Sequence, residues 1–238
     1  MPMNFLLLFL LALNAPANPC VDYDILDKQI RDGAIAKAEA ARRFSELIPQ
    51  LDRHAAGSCP PRRADGEPSW VFPVDRARLR DIGGRSGSGY QPGGYNFFDG
   101  NRHHGHPAHD IFIHDENQDE RDDTSGKPVP VRSVLPGIVI ALESNWEAVS
   151  PLRGGRYVVV YHPASSELFC YAHLARISVR VGQCVDRGGV LGEVGRSGKS
   201  AARKRSPTHL HLTRLRIING RPVPEDAYPE LVRAIRRK

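Results

Sequence analysis

The chain has 238 residues, of which 40% are hydrophobic and 25% charged, and this composition excludes a disordered or fibrous protein. It is typical of one sizeable globular domain with a smaller attachment. The formal net charge of +6 favours contact with an anionic polymer. The basic residues are interleaved with acids and form no nucleic-acid-binding motif, which argues against a nucleic-acid partner.

The first 17 residues have the pattern of a signal peptide. An apolar stretch from Phe5 to Leu13 precedes Ala15-Pro16-Ala17, the small-residue pattern of a cleavage site. The competing interpretation is a buried N-terminal helix, because no Lys or Arg precedes the apolar stretch. No later run of residues is apolar and long enough to span a bilayer. We therefore expect an exported protein, periplasmic or extracellular, with no stable membrane span.

The four cysteines, Cys20, Cys59, Cys170 and Cys184, are an even number in a chain expected to be exported. This favours disulfides over a thiolate metal site. Of the three possible pairings, Cys20 with Cys59 and Cys170 with Cys184 closes the shorter loops and is the one we expect. The alternative is a set of free, buried thiols.

A helix is the first predicted element. Apolar residues recur at helical spacing from Asp24 to Leu51, which predicts one amphipathic helix, weakened at Gly33 and broken or kinked at Pro49. Residues 59–68 are rich in Pro and charge and predict a linker.

A different pattern follows the linker, so residues 18–68 are predicted to form an N-terminal helical segment and linker, and residues 69–238 a separate domain. A Gly-rich segment, residues 83–100, reads as a long loop, and the acidic stretch 115–123 as a solvated loop. Short β-branched runs bounded by Pro and Gly then predict closely spaced strands. Because no helical period separates them, the expected fold is mainly β, an antiparallel sheet or sandwich. The predicted strands are 129–134, 137–142, 156–161, 167–174, 190–194 and 208–218.

The most informative motif is His209-Leu210-His211 inside an alternating run. Residues two apart on a strand face the same side, so both imidazoles project into one space. Two such rings can form a metal or proton-transfer site, although an isolated H-x-H is more often structural or exposed.

Two further motifs are weak when taken singly. His106 and Asp110, four residues apart, could join one of the H-x-H rings as the three protein ligands of a catalytic zinc site, which leaves a fourth position for water. The competing interpretation is a His-rich surface loop. His173 ends a predicted strand, where a histidine is more often structural than catalytic.

In this order, the H-x-x-x-D motif at His106, the Y-x-H-L motif at Tyr171 and the H-x-H motif at His209 resemble those of the lysostaphin and LytM-type zinc metallopeptidases. The resemblance extends over roughly Trp70 to Tyr228. It implies a lysostaphin-like antiparallel fold and a zinc-dependent endopeptidase acting on peptidoglycan peptides. The alternative is a non-catalytic regulator of wall hydrolases with the same fold.

Carried over residue by residue, the resemblance implies that His106, Asp110 and His211 hold Zn²⁺, with His173 and His209 beside the open position. One of these two rings would act as general base and the other would stabilise the oxyanion. We favour His209 as base and His173 as stabiliser, although the sequence does not decide between them.

The chain departs from the family pattern in two places. Ala108 replaces the Gly of H-x-G-x-D, which costs about 1 kcal/mol if that position has a positive φ. Residues 113–124 form an acidic insertion, expected as a loop at the rim of the site. His103 and His104 are read as loop residues, because only His106 is followed by an Asp four residues later.

Overall fold

The computed structural model describes residues 18–59, 69–84 and 88–237; the predicted signal peptide, residues 1–17, and most of the predicted linker lie outside the described residues. The helices are α1 (Pro19–Asp32), α2 (Lys37–Ser58) and α3 (Tyr228–Arg236). The strands are β1 (Ala108–Phe112), β2 (Pro130–Arg132), β3 (Gly137–Glu143), β4 (Tyr157–His162), β5 (Glu167–Ala172), β6 (Leu174–Ile177), β7 (Cys184–Val185), β8 (Val190–Val194), β9 (His209–Ile218) and β10 (Arg221–Glu225).

The strands form two antiparallel sheets. The larger has the order β1-β9-β5-β4-β3-β7, with β10 also paired to β9, and the smaller has the order β2-β8-β6. All pairings between these strands are antiparallel. The prediction of a mainly β, antiparallel fold with an N-terminal helical segment is therefore confirmed.

Both faces of the larger sheet are buried. Successive side chains of a strand point to opposite faces, and the strands of this sheet carry apolar side chains on both. One face, which includes Leu210 and Leu212 of β9, packs with residues of the smaller sheet and of α3. The opposite face, which includes Leu215 of β9 and Ala172 of β5, packs against α1 and α2. Positions 209, 211, 213 and 215 alternate with 210, 212 and 214, so the H-x-H histidines lie on the face that carries the N-terminal helices.

The single helix predicted over Asp24–Leu51 is in fact two helices. Gly33 adopts a left-handed conformation, φ 69°, and its N–H bonds back to the last turn of α1, so this residue ends the helix rather than weakening it. The prediction of a break at Pro49 is wrong, because α2 continues through this residue to Ser58. The two helices form a hairpin that buries Tyr23 and Phe44 against the sheet.

The predicted disulfide pairing is also wrong. Cys59, just after α2, is bonded to Cys184 in β7, while Cys20 and Cys170 are free thiols. Cys170 lies in β5, and β4 and β3 stand between β5 and β7. Three strand spacings separate the two residues by roughly 14 Å, whereas a disulfide needs Cα atoms within about 7 Å. The chain order of the cysteines gave no information on this strand order.

Among the described residues, no helix is both long enough and apolar enough to cross a membrane.

Candidate metal and catalytic site

Pairing of β1 with β9 brings the first and last motifs together. Asp110 lies directly opposite His211 in the ladder, so both side chains project from the same face of the sheet. His106 lies just before β1. Asp110 Oδ1 is 3.0 Å from His211 Nδ1 and 3.3 Å from His106 Nε2.

His106, Asp110 and His211 form a compact donor set. One ligand atom from each lies within 4.8 Å of the others, and among the described residues this is the one group of three His, Cys, Asp or Glu side chains so arranged. Two imidazoles and a carboxylate suit zinc and leave a position open for catalysis. Burial opposes ionisation of Asp110, but hydrogen bonds from His106 and His211 outweigh it and lower the pKa of Asp110. The carboxylate is therefore ionised, as a ligand must be.

His173 and His209 stand beside this donor set with their rings held in the same way. His173 Nδ1 donates to the Ser197 carbonyl at 2.7 Å, and His209 Nδ1 donates to the Pro207 carbonyl at 2.7 Å. Because a carbonyl only accepts, each Nδ1 carries the hydrogen and each Nε2 is left for the site. The ring centroids are 4.9 Å apart. Burial, followed by the neighbouring His209 and His211 rings, lowers the pKa of His173 well below its usual value.

Backbone groups orient these rings, and the sequence motifs did not reveal them. His106 Nδ1 donates to the Gly89 carbonyl at 2.8 Å, so the Gly-rich segment carries a supporting contact of the site. Gly198 lies under His173, with φ +114°, and an added Cβ would lie 2.8 Å from His173 Nδ1 and 2.4 Å from the Arg153 carbonyl. Only Gly fits this position. The Ser197-Gly198 pair before the H-x-H motif was the available signal.

The first departure from the family pattern has no conformational cost. Ala108 is a buried residue of β1 and is not among the residues with positive φ. His109, its neighbour, points to the opposite face and bonds Asp226 at 2.8 Å, so it is not a ligand of the site. His103 bonds the His104 carbonyl within the preceding loop, in agreement with its reading as a loop residue.

The acidic insertion is not simply solvated, and this expectation is wrong in part. Asp115 and Asp122 are buried, and Asp115 accepts a hydrogen bond from the Thr208 hydroxyl at 2.6 Å. Glu120 accepts from the Arg196 N–H at 2.9 Å. The insertion therefore braces residues 196–208, the segment that leads into the H-x-H strand.

A cavity of about 370 Å³ opens beside the histidines. The rings of His106, His173, His209 and His211 line one part of it, and the side chains of Tyr23, Asp27 and Tyr95 line another. A peptide bond placed in the first part would meet the donor set and the rings of His173 and His209 together.

Solved structures with detectable similarity include a zinc-containing peptidase from Vibrio cholerae, 28% identical, with 67% of this chain and 39% of that one covered and a TM-score of 0.43. A putative glycyl-glycine endopeptidase LytM from Ruminococcus gnavus is 23% identical, with 72% of this chain and 62% of that one covered and a TM-score of 0.47. The catalytic domain of lysostaphin from Staphylococcus simulans is 24% identical, with 65% of this chain and 95% of that one covered and a TM-score of 0.41. The chain thus spans less than two thirds of the length of the first two. No curated protein sequence matches it.

The sequence model of Peptidase family M23 matches residues 122–224. This segment includes His173, His209 and His211, whereas His106 and Asp110 precede it and join the site through the β1–β9 ladder. The match confirms the resemblance drawn from the motifs: residues 122–224 are similar to Peptidase family M23, and the chain resembles peptidases of the lysostaphin/LytM type.

Proposed function

We propose that this chain is a zinc-dependent metalloendopeptidase that hydrolyses peptide bonds of bacterial peptidoglycan, and that it acts after export, in the periplasm or outside the cell. The observation that carries the proposal is the convergence of His106, Asp110 and His211 within 4.8 Å, next to two imidazoles that are each hydrogen-bonded to a backbone carbonyl through Nδ1. A peptidase domain accounts for all five residues. A non-catalytic binding module needs none of them.

In this proposal His106, Asp110 and His211 hold the zinc ion. When bound, zinc supplies a Lewis acid that polarises the scissile carbonyl and acidifies water. Asp110 contributes the negative charge of the donor set, and the Gly89 carbonyl fixes the ring of His106. These contacts exist before substrate arrives, so the site needs little reorganisation.

His173 and His209 carry the proton transfers in this proposal. A neutral ring accepts a proton at Nε2, and a protonated ring donates from the same atom to an oxyanion or a leaving amine. We assign the general base and the oxyanion donor to this pair. Their hydrogen bonds to the Ser197 and Pro207 carbonyls are equivalent and do not separate the two roles, while His209 Nε2 alone is also 3.6 Å from Asp110 Oδ1.

The proposal fits the charge and the cysteines. A formal net charge of +6 favours adsorption to an anionic wall polymer. The disulfide between Cys59 and Cys184 is of a kind that persists in oxidising compartments outside the cytoplasm.

The product of the reaction tests the proposal. Purified peptidoglycan is digested with the zinc-loaded protein, with and without a chelator, and the fragments are identified by mass spectrometry. We expect fragments cut at peptide bonds, abolished by the chelator and by His211→Ala. The matched control is His104→Ala, an exposed histidine outside the donor set, which should cut like the wild type. Release of disaccharides, or no release by the folded, zinc-loaded protein, would contradict the proposal.

A further inference from the structure

The cavity continues from the histidines to the N-terminal helix. In the sheet, His211 of β9 pairs with Ala172 of β5. Val158 of β4 pairs with Tyr171 of β5, so the next position of this antiparallel ladder places Tyr157 opposite Ala172. His211, Ala172 and Tyr157 therefore lie in one row across the three strands. Two strand spacings place the Cα atom of Tyr157 roughly 10 Å from that of His211. The hairpin of α1 and α2 covers this face of the sheet beyond the row, so one end of the cavity is closed by α1.

A carboxylate lies at the closed end. Asp27 of α1 lines the cavity and accepts a hydrogen bond from the Tyr157 hydroxyl at 2.5 Å. The neighbouring cations form their ion pairs with other carboxylates: Arg31, which also lines the cavity, pairs with Asp32 and Glu143, and Lys28 pairs with Asp24. Both cations attract the Asp27 charge only at longer range. Within residues 18–59, 69–84 and 88–237, no Lys, Arg or His forms an ion pair with Asp27. Burial raises the pKa of Asp27 to about 6, so the group is mainly ionised at neutral pH.

Aromatic side chains surround this carboxylate. Tyr23, Tyr95 and Tyr157 line the same part of the cavity, and burial raises the pKa of all three, with a smaller contribution from the charge of Asp27. The Tyr23 side chain is 1% exposed, yet its hydroxyl has no hydrogen-bond partner among the described residues. An unpaired buried hydroxyl is costly, and its presence at a cavity wall indicates a missing partner.

We propose that the closed end of the cavity is a subsite for an ammonium group of the substrate, held by the Asp27 carboxylate among Tyr23, Tyr95 and Tyr157. An ammonium group forms the direct ion pair that Asp27 lacks and donates hydrogen bonds to the carboxylate and the Tyr23 hydroxyl. Aromatic faces add cation–π attraction. An anionic group would be repelled, and a neutral apolar group would leave Asp27 unpaired.

The Cα separation of Tyr157 and His211 limits where on the substrate this amine lies. Roughly 10 Å corresponds to about three residues of extended chain at 3.3 Å each. The amine therefore belongs to a side chain or terminus within about three residues of the scissile bond. This step rests on the proposed peptidase function, whereas binding of an ammonium group to Asp27 does not.

Binding is measured first, without hydrolysis. The probes are Nα-acetyl-lysine amide and Nα-acetyl-norleucine amide, which differ by the ammonium group, and NMR detects them on the zinc-loaded protein. We expect the lysine derivative to bind more tightly, and Asp27→Asn to weaken it by about tenfold to a hundredfold, the range for a hydrogen bond to a charged group. Asp22→Asn, an acid of the same helix outside the cavity, is the control and should bind like the wild type. Tyr23→Phe, which keeps the ring and removes the unpaired hydroxyl, should weaken binding to a smaller extent.

Equal binding of the two probes, no binding of the lysine derivative, or full binding by folded Asp27→Asn would overturn the subsite. A thermal unfolding scan shows that each variant is folded.

Hydrolysis is the second measurement. Peptidoglycan with its free amines intact is compared with peptidoglycan whose amines are acetylated. The wild type should cleave the intact polymer faster, and Asp27→Asn should remove this preference. If the wild type cleaves neither polymer, the proposed function fails while the binding result still decides the subsite. A preference that persists in Asp27→Asn would contradict the subsite while leaving the peptidase function intact.

Discussion

The disulfide between Cys59 and Cys184 should be a major source of stability. It joins the end of α2 to the edge strand β7 across a sequence separation of 125 residues. The loop-entropy relation gives about 5 kcal/mol for a closed loop of this length, which is an upper figure because strain and residual structure reduce it. Its removal also leaves the N-terminal hairpin attached to the edge of the sheet by packing alone. We therefore expect the double variant Cys59→Ser, Cys184→Ser to lose about 2–5 kcal/mol of unfolding free energy.

Urea unfolding with and without a reductant measures this loss. The reductant should bring the wild type to the stability of the double variant and leave the variant unchanged. Peptide mapping of the oxidised protein should find the Cys59–Cys184 cross-link, with Cys20 and Cys170 alkylated only after unfolding, since burial raises the pKa of both thiols. A Cys20–Cys59 cross-link, or a loss below about 1 kcal/mol, would refute this reasoning.

Three other changes have defined outcomes. Gly198→Ala forces a Cβ to within 2.8 Å of His173 Nδ1, so hydrolysis should fall about a hundredfold with zinc content unchanged; Gly126→Ala, also at positive φ but with open space around it, is the control. Burial raises the pKa of Asp27 from 3.8 to about 6, so its stabilising contribution is complete below pH 3.8 and lost as the pH rises through 6. In urea unfolding, Asp27→Asn should therefore be more stable than the wild type at pH 7, by at most about 3 kcal/mol, and should have no such advantage at pH 4. Unfolding free energies of the two proteins that change in parallel with pH would contradict this. Asp115→Ala removes the acceptor of the buried Thr208 hydroxyl and of the Asp119 and Glu120 N–H groups, and should cost about 1–3 kcal/mol, read from the same unfolding curves. Thr208→Val removes only the hydroxyl, with its bonds to Asp115 and Arg196, and a loss in this variant too would show that the hydroxyl contributes.

Short-range patterns in the sequence predicted much of the structure. The alternation of Leu210 and Leu212 with His209 and His211 placed both imidazoles on one face of a strand, and the β9 ladder has them there. The β-branched runs predicted β2, β3, β4, β5, β8 and β9 closely, because period two is a local property of the chain, whereas the short strands β6 and β7 were not predicted.

Long-range arrangements were not predictable from the residues alone. The sequence contains no signal that β1 pairs with β9, and this pairing is what places Asp110 opposite His211. That juxtaposition was expected only through the resemblance to a family. The predicted cysteine pairing was wrong for the same reason, because the pairing depends on the order of the strands across the sheet and not on their order along the chain.

The supporting contacts of the site were also missed, because backbone groups make them. The carbonyls of Gly89, Ser197 and Pro207 hold three of the imidazoles, and a carbonyl leaves no trace in the residue type. Asp115 was misjudged because a run of acids reads as solvated unless its buried partner, here Thr208, is known.

The central claim is that zinc bound by His106, Asp110 and His211 is required for peptide-bond hydrolysis. The most direct measurement titrates zinc into metal-depleted protein and records zinc bound per chain together with peptide bonds cleaved in purified peptidoglycan. We expect hydrolysis to rise in proportion to bound zinc and to level off at one ion per chain, with neither tight zinc binding nor hydrolysis in His211→Ala. Full hydrolysis by the metal-depleted protein, or by a metal-free His211→Ala protein, would contradict the claim.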